Sequence, residues 1–245
     1  MARYKIIIEY DGTNFSGWQK QENAISVQKT IEDALAKLSQ KEITIHASGR
    51  TDAGVHALGQ VAHFDFDKKI EDWQIRMALN HYLRDEAVVI LSCEKISDEF
   101  HSRFDAKLRH YQYKILNRRA KAVLIKNRAW HIPYQLNLEA MKNGAKYLIG
   151  KHDFTSFRDA ECQAKSPIKT INKIEIEKIE ENINITISAP SFLHHMVRNI
   201  VGTLVLVGGE KIKAEDIKTI LEAKNRTKSG PNAPAYGLYF YRVDY

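Results

Sequence analysis

The sequence has little that marks a membrane protein, a disulfide scaffold or a cofactor enzyme. It contains no run of about 18 uncharged apolar residues, so no transmembrane helix is expected. Cysteine occurs twice, at Cys93 and Cys162, far apart and without metal-ligand spacing. That excludes a disulfide framework and leaves free thiols in a reducing cytoplasm as the simple reading. Met1 to Tyr10 looks like a strand and lacks the basic-then-apolar layout of a secretion signal. No G-x-G-x-x-G follows a strand, and there is no phosphate-binding P-loop and no G-x-S-x-G nucleophile turn. Internal repeats and low-complexity segments are also missing.

What is present is an ordinary core and a localised charge. Hydrophobic residues make up 44% of the 245, enough for a sizeable core in one large domain or two of common size. Lys and Arg outnumber Asp and Glu by 37 to 30, a net charge of +7. Between Phe100 and Trp130 lie nine cations (Arg103, Lys107, Arg109, Lys114, Arg118, Arg119, Lys121, Lys126 and Arg128) and one acid, Asp105, so this stretch holds the whole basic excess. Interleaved with Tyr111, Tyr113 and Trp130, it suits a polyanion with stackable bases. A solvated basic face is the plainer alternative.

Periodicity gives the organisation. Arg3 to Tyr10 has strand composition, and Ser26 is placed to cap a helix to about Gln40 with Val27, Ile31, Ala34, Leu35 and Leu38 at helical spacing. A short strand Ile43–Ala47, an alternating strand Gly59–Phe66, a helix Glu71–Leu83 and a strand Ala87–Ile96 follow. This is the β-α-β-β-α-β order of a ferredoxin-like unit. The second half is similar in outline: strand Arg109–Leu116, helix Leu138–Ile149 capped by Asn137, and a hairpin Ile171–Ile179 and Ile183–Ala189 turning near Glu181 and Asn182. Helices His194–Val207 and Ala214–Ala223 and a closing strand Leu238–Val243 complete it. The expected fold is α+β: two ferredoxin-like, RRM-like subdomains, 1–105 and 106–245, with mainly antiparallel sheets flanked by helices and an active-site cleft between them.

The strongest chemical signal is Gly49-Arg50-Thr51-Asp52-Ala53-Gly54-Val55-His56-Ala57. Two glycines frame one carboxylate, Asp52, with Arg50 two residues before it and His56 four after. An acid beside a fixed cation favours its ionised form, which suits nucleophilic or electrostatic work and not proton donation. Asp52, His56 and His63 lack the spacing of a metal site, and no metal is expected. On a strand, Tyr111 shares a face with Arg109 and Tyr113. Its ring suits stacking on a base and its hydroxyl proton transfer; simple packing explains Tyr111 equally well and Tyr113 better. Arg198 stands near the start of an apolar helix, four residues after His194 and so on its face. A buried arginine needs a carboxylate, which invites a pair with Asp52, while a surface arginine is the plainer alternative. Asp11 to Gln19 is a second glycine-flanked polar loop, either a ligand contact or a turn.

Taken together, these segments resemble the TruA family of tRNA pseudouridine synthases. The matching blocks are Tyr10-Asp11-Gly12-Thr13 with Gly17-Trp18-Gln19, GRTDAGVHA at 49–57 with Gly59-Gln60-Val61, Phe100-His101-Ser102-Arg103-Phe104, RHYQY at 109–113, DFTSFR at 153–158, HHMVRNIVG at 194–202 and Gly237-Leu238-Tyr239. Ser102 departs from the alanine more usual in the family. The resemblance implies conversion of uridine to pseudouridine at positions 38, 39 and 40 of the tRNA anticodon stem-loop, in the cytoplasm, without cofactor or metal. It implies Asp52 as nucleophile, Arg198 as its partner, Tyr111 as the ring stacked on the target base and Arg50 as the side chain filling the space a flipped nucleotide leaves. It also implies a homodimer with tRNA touching both subunits. Two rivals stand beside it. A non-catalytic RNA-binding relative would tend to lose one of Asp52, Tyr111 and Arg198. A metal-dependent nuclease built on Asp52, His56 and His63 would fail with a chelator.

Overall fold

The computed structural model describes all of residues 1–245. Its elements begin with β1 (Ala2–Tyr10), α1 (Val27–Ser39), β2 (His46–Ala47), β3 (His56–Phe66), α2 (Asp72–Tyr82) and β4 (Val88–Ile96). They continue with β5 (Leu108–Asn117), β6 (Trp130–Ile132), α3 (Leu138–Lys146), β7 (Gly150–Asp153), β8 (Ile168–Ile171), β9 (Lys173–Ile179) and β10 (Asn182–Ala189). Helices α4 (Met196–Gly208) and α5 (Asp216–Ala223) and strand β11 (Leu238–Asp244) close the chain. The fold is α+β with mainly antiparallel pairing, as the periodicity predicts. It forms two compact units, Met1–Lys107 with Tyr239–Tyr245, and Leu108–Leu238.

In the first unit β1 is central. It runs antiparallel to β3, with Ile6 opposite Ala62, and to β4, with Ile6 opposite Cys93. β2 pairs with β3 at His46–His63, giving the strand order β4-β1-β3-β2 of a ferredoxin-like sheet. Tyr4, Ile6 and Ile8 alternate into the core, where α1 adds Val27, Ile31 and Leu35 and α2 adds Ile75 and Leu79. Each such side chain, fully buried, contributes about 1.5–3 kcal/mol. Ser26 caps α1, its Oγ accepting the Lys29 N–H at 3.3 Å. The strand expected from Ile43 is cut to His46–Ala47 because the Ile45 N–H is taken by the Glu32 carboxylate of α1 at 3.2 Å. The closing strand, β11, belongs to this unit and not to the second half that precedes it in sequence. It lies parallel to β3, with Tyr239 opposite His56.

β3 also buries His63, which is 2% exposed. The Ser102 N–H donates to its Nδ1 at 3.2 Å, and the Ser102 hydroxyl donates to the His46 carbonyl. An alanine at 102 would leave that carbonyl without this donor, so the Ser102 hydroxyl serves the packing of β2. Burial first, then the neighbouring His101, His46 and Arg3 against an opposing Asp65, push the His63 pKa down to about 4. The unfolded chain takes up this proton near pH 6.5 and the folded chain does not, so stability is intact above pH 6.5 and is lost as pH falls toward 4. Denaturant unfolding at pH 7 and pH 4.5 should show wild type losing about 2–3 kcal/mol more than His63→Gln; equal losses would remove His63 as the cause.

The second unit is built on the antiparallel order β5-β10-β9, with Tyr113 opposite Ile185 and Ile185 opposite Ile176. β6 adds in parallel to β5, and β7 and β8 form a separate two-stranded ribbon. Tyr113, Ile115, Ile183, Ile185 and Ile187 are fully buried. Helix α4 buries 11 of its 13 residues, so it is an interior helix and not one with a single apolar stripe. α3 packs on it, capped by Asn137, whose side chain accepts the Ala140 N–H at 3.0 Å.

Candidate active site

In the first unit, residues 48–55 form the loop between β2 and β3 that carries Arg50 and Asp52. Its backbone is tied at successive points. The Ser48 N–H donates to the Val61 carbonyl at 2.8 Å, and Gln60 Nε2 donates to the Gly49 carbonyl at 2.8 Å. The Thr51 carbonyl accepts the Trp18 N–H at 3.0 Å, and the Asp52 carbonyl accepts the Val55 N–H at 3.2 Å. Beneath them the buried Tyr10 and Thr51 hydroxyls are 2.7 Å apart, and burial raises the Tyr10 pKa. Asp52 itself is half-buried and Arg50 exposed.

The loop Asp11–Gln19 supports this one from behind. A β-carbon at Gly12 would lie 2.0 Å from the Val55 carbonyl oxygen, and one at Gly17, where φ is +99°, would lie 2.6 Å from the Thr51 oxygen. Only glycine permits backbone contact that close. The second glycine-flanked loop is therefore a frame for the first. His56 belongs to the same frame. It is 1% exposed; its Nδ1 accepts the Gly12 N–H at 3.0 Å, and its ring lies 4.8 Å from that of Tyr239.

The second unit holds Tyr111 and Arg198. Tyr111 is half-buried on β5 opposite Ile187, and its ring meets Phe192 edge-on at 5.1 Å and 87°. That edge-to-face contact packs one side of the ring and leaves the residue half-buried. Tyr113, two residues on, is 0% exposed, and its hydroxyl donates to the Pro234 carbonyl at 2.8 Å, so it is core. Arg198 lies in the first turn of α4, partly buried. Its Nε donates to the Ala233 carbonyl at 2.7 Å, while the Ala233 N–H returns to the Arg198 carbonyl at 3.2 Å. This two-way clasp aims the guanidinium. The helix begins at Met196 with His195 left-handed before it, so His194 lies outside the helix and does not share the Arg198 face as its spacing predicts. Phe192 and Ala233 contact Tyr111 and Arg198 and carry no periodic or motif signal of their own, whereas Gln60, which holds the Gly49 carbonyl, lies in the Gly59-Gln60-Val61 block.

Residues 6–105 and 145–245 match the tRNA pseudouridine synthase family. The chain belongs to that family. It is 54% identical over 244 residues to the tRNA pseudouridine synthase A of Ehrlichia chaffeensis, covering 99% of this chain and 100% of that one. To the enzyme of the same name from Anaplasma phagocytophilum it is 52% identical over 245 residues, covering 99% and 100%. A solved Cbf5–Nop10–Gar1 complex overlaps 82% of this chain and 53% of that chain at a TM-score of 0.33 and 11% identity, too low to argue from. Within the synthase family, the matched stretches contain Arg50, Asp52 and Arg198, whereas Tyr111 falls between them. The full-length relatives span that gap as well. A tRNA pseudouridine synthase is an isomerase; the first unit holds a carboxylate on a loop tied through its backbone, and the second holds a half-buried tyrosine ring and a partly buried arginine.

Proposed function

We propose that this synthase isomerises uridine at positions 38, 39 and 40 of the tRNA anticodon stem-loop, with Asp52 as nucleophile. The observation that carries this is the Asp52 loop, whose backbone is bonded on both sides while Asp52 is half-buried. A carboxylate oxygen adds to C1′ as the N1–C1′ bond breaks, its electron pair leaving with the uracil. The uracil turns, and C5 bonds to C1′ as the carboxylate departs. The C5 proton is then lost and N1 gains one. Substrate and product have the same atoms, so no electron carrier or group donor takes part.

Tyr111 supplies the face that retains the detached base, Arg198 is the cation of the site, and Arg50 fills the stack once the nucleotide has flipped out, a step that costs a few kcal/mol. The exposed cations Arg119, Lys121 and Lys126, on the loop between β5 and β6, serve the phosphate backbone. No helix of the structure is long and apolar enough to cross a membrane. The same reading makes the enzyme a cytoplasmic homodimer.

Unmodified tRNA incubated with the enzyme, then mapped by carbodiimide labelling and primer extension, should show stops at 38–40 with and without a chelator. Stops at other positions only would overturn the assigned site in tRNA. Loss of activity with the chelator would favour the metal-dependent alternative.

A further inference from the structure

The start of α4 is held in a way that the reaction scheme leaves unused. His195 sits at the N-cap with φ 60° and ψ 3°, a left-handed conformation disfavoured for a residue with a β-carbon. An N-cap ordinarily offers a side-chain oxygen to the first free amides of its helix, but His195 makes no side-chain cap bond. Its imidazole turns instead to Asp159, with Nδ1 2.6 Å from Oδ2. The His194 ring lies beside it, tilted by 31° with the centroids 3.9 Å apart, and its own Nδ1 is 3.9 Å from the other Asp159 oxygen.

Backbone bonds reinforce the pair. The Asp159 N–H donates to the His194 carbonyl at 3.2 Å, and the His194 N–H reaches Cys162 Sγ at 3.4 Å. One turn on, Asn199 closes the first helical bond to the His195 carbonyl at 2.9 Å and donates from its side chain to the Phe157 carbonyl at 2.9 Å. Asp159 is a well-anchored acceptor. The Glu161 N–H on its carboxylate, with His195 and His194 nearby, holds its pKa below the usual carboxylate range. Segment 157–162 thus latches the chain reversal from which α4 departs. Arg198 follows His195 by three residues, so the angle of that reversal sets where its guanidinium starts. Backbone strain held by surrounding structure is concentrated at functional sites.

We propose that His195, held by Asp159, is a positioning residue for Arg198. This rests on the reading that Arg198 serves the reacting uridine. The test is a double-mutant cycle in steady-state kinetics. His195→Gly removes the imidazole with its Asp159 bond and also relieves the left-handed backbone cost, so the two effects oppose and melting should change little. The KM for tRNA should stay within about twofold while kcat falls about tenfold to a hundredfold, the loss expected from slight misplacement. His195→Asn tolerates the same φ and keeps a donor toward Asp159, so it should recover part of the rate. In an Arg198→Met background, His195→Gly should cost nothing further. Wild-type kcat in His195→Gly, or losses that simply add, would overturn the proposal. Wild-type kcat in Arg198→Met would instead overturn the reading on which it rests.

Discussion

Replacing Asp52 with asparagine should lower the rate of pseudouridine formation by about four orders of magnitude or more, the scale seen when a nucleophile is removed. The substitution preserves size and leaves in place the loop bonds that run through the main chain of Gly49, Thr51 and Asp52. An amide does not bond covalently to C1′ as a carboxylate does, so the loss falls on the chemical step. Affinity for tRNA should remain within about twofold, because phosphate contacts dominate binding. Single-turnover rates paired with filter binding separate the two effects. A wild-type rate in Asp52→Asn would mean that another group does the chemistry.

The largest effect on the scaffold is expected from Gly202→Ala. A β-carbon at Gly202 would stand 1.8 Å from the Pro231 carbonyl oxygen and 2.9 Å from its carbon. Approached from the other side, a β-carbon at Gly230 would lie 2.7 Å from Thr203 Cα. The middle of α4 and segment 230–231 are therefore in backbone contact, and neither has a flexible tip that could yield. The contact is locked by the Gly230 N–H, which donates to Thr203 Oγ1 at 2.8 Å, and by Arg226, which bridges the Gly230 carbonyl at 3.0 Å and Asn199 Oδ1 at 2.8 Å. Two residues beyond Pro231 lies Ala233, whose carbonyl holds Arg198. A methyl at 202 should cost about 3 kcal/mol, the upper end for overpacking, and lower Tm by roughly 6–12 °C. It should also slow catalysis at temperatures where the variant is still folded, since the segment that aims Arg198 is displaced. Calorimetry and rates at 20 °C below Tm check both. A Tm within a degree of wild type would show that the helix and the segment separate freely.

Much of this could be read from the chain because it rests on local periodicity. The β-α-β-β-α-β order of the first hundred residues, the caps at Ser26 and Asn137 and the core role of Tyr113 all follow from spacing and residue type. What escaped the sequence depends on segments far apart in it. β11 joins β3 across most of the chain, and nothing within Leu238–Asp244 says which half it will enter. From the sequence the loop Asp11–Gln19 reads as either a ligand contact or a turn, because glycine-rich polar loops serve as both. Its glycines are instead required by the backbone of residues 51–55. His194 and Arg198 have helical spacing, but the helix starts two residues after His194, because the turn at His195 is left-handed. The GRTDAGVHA motif itself was legible as chemistry because an acid, a cation and two glycines in nine residues define a presented carboxylate with little help from the rest of the fold.

The central claim is that Asp52 drives exchange of the glycosidic bond from N1 to C5 at positions 38, 39 and 40. Forming pseudouridine replaces the C5 hydrogen, so tritium placed there is released to solvent once per turnover. Anticodon stem-loops carrying a single tritiated uridine at 38, 39 or 40 test this directly. Wild type should release tritium from all three, and Asp52→Asn from none. Release by the asparagine variant at the wild-type rate, or none by wild type from any of the three, would contradict the account.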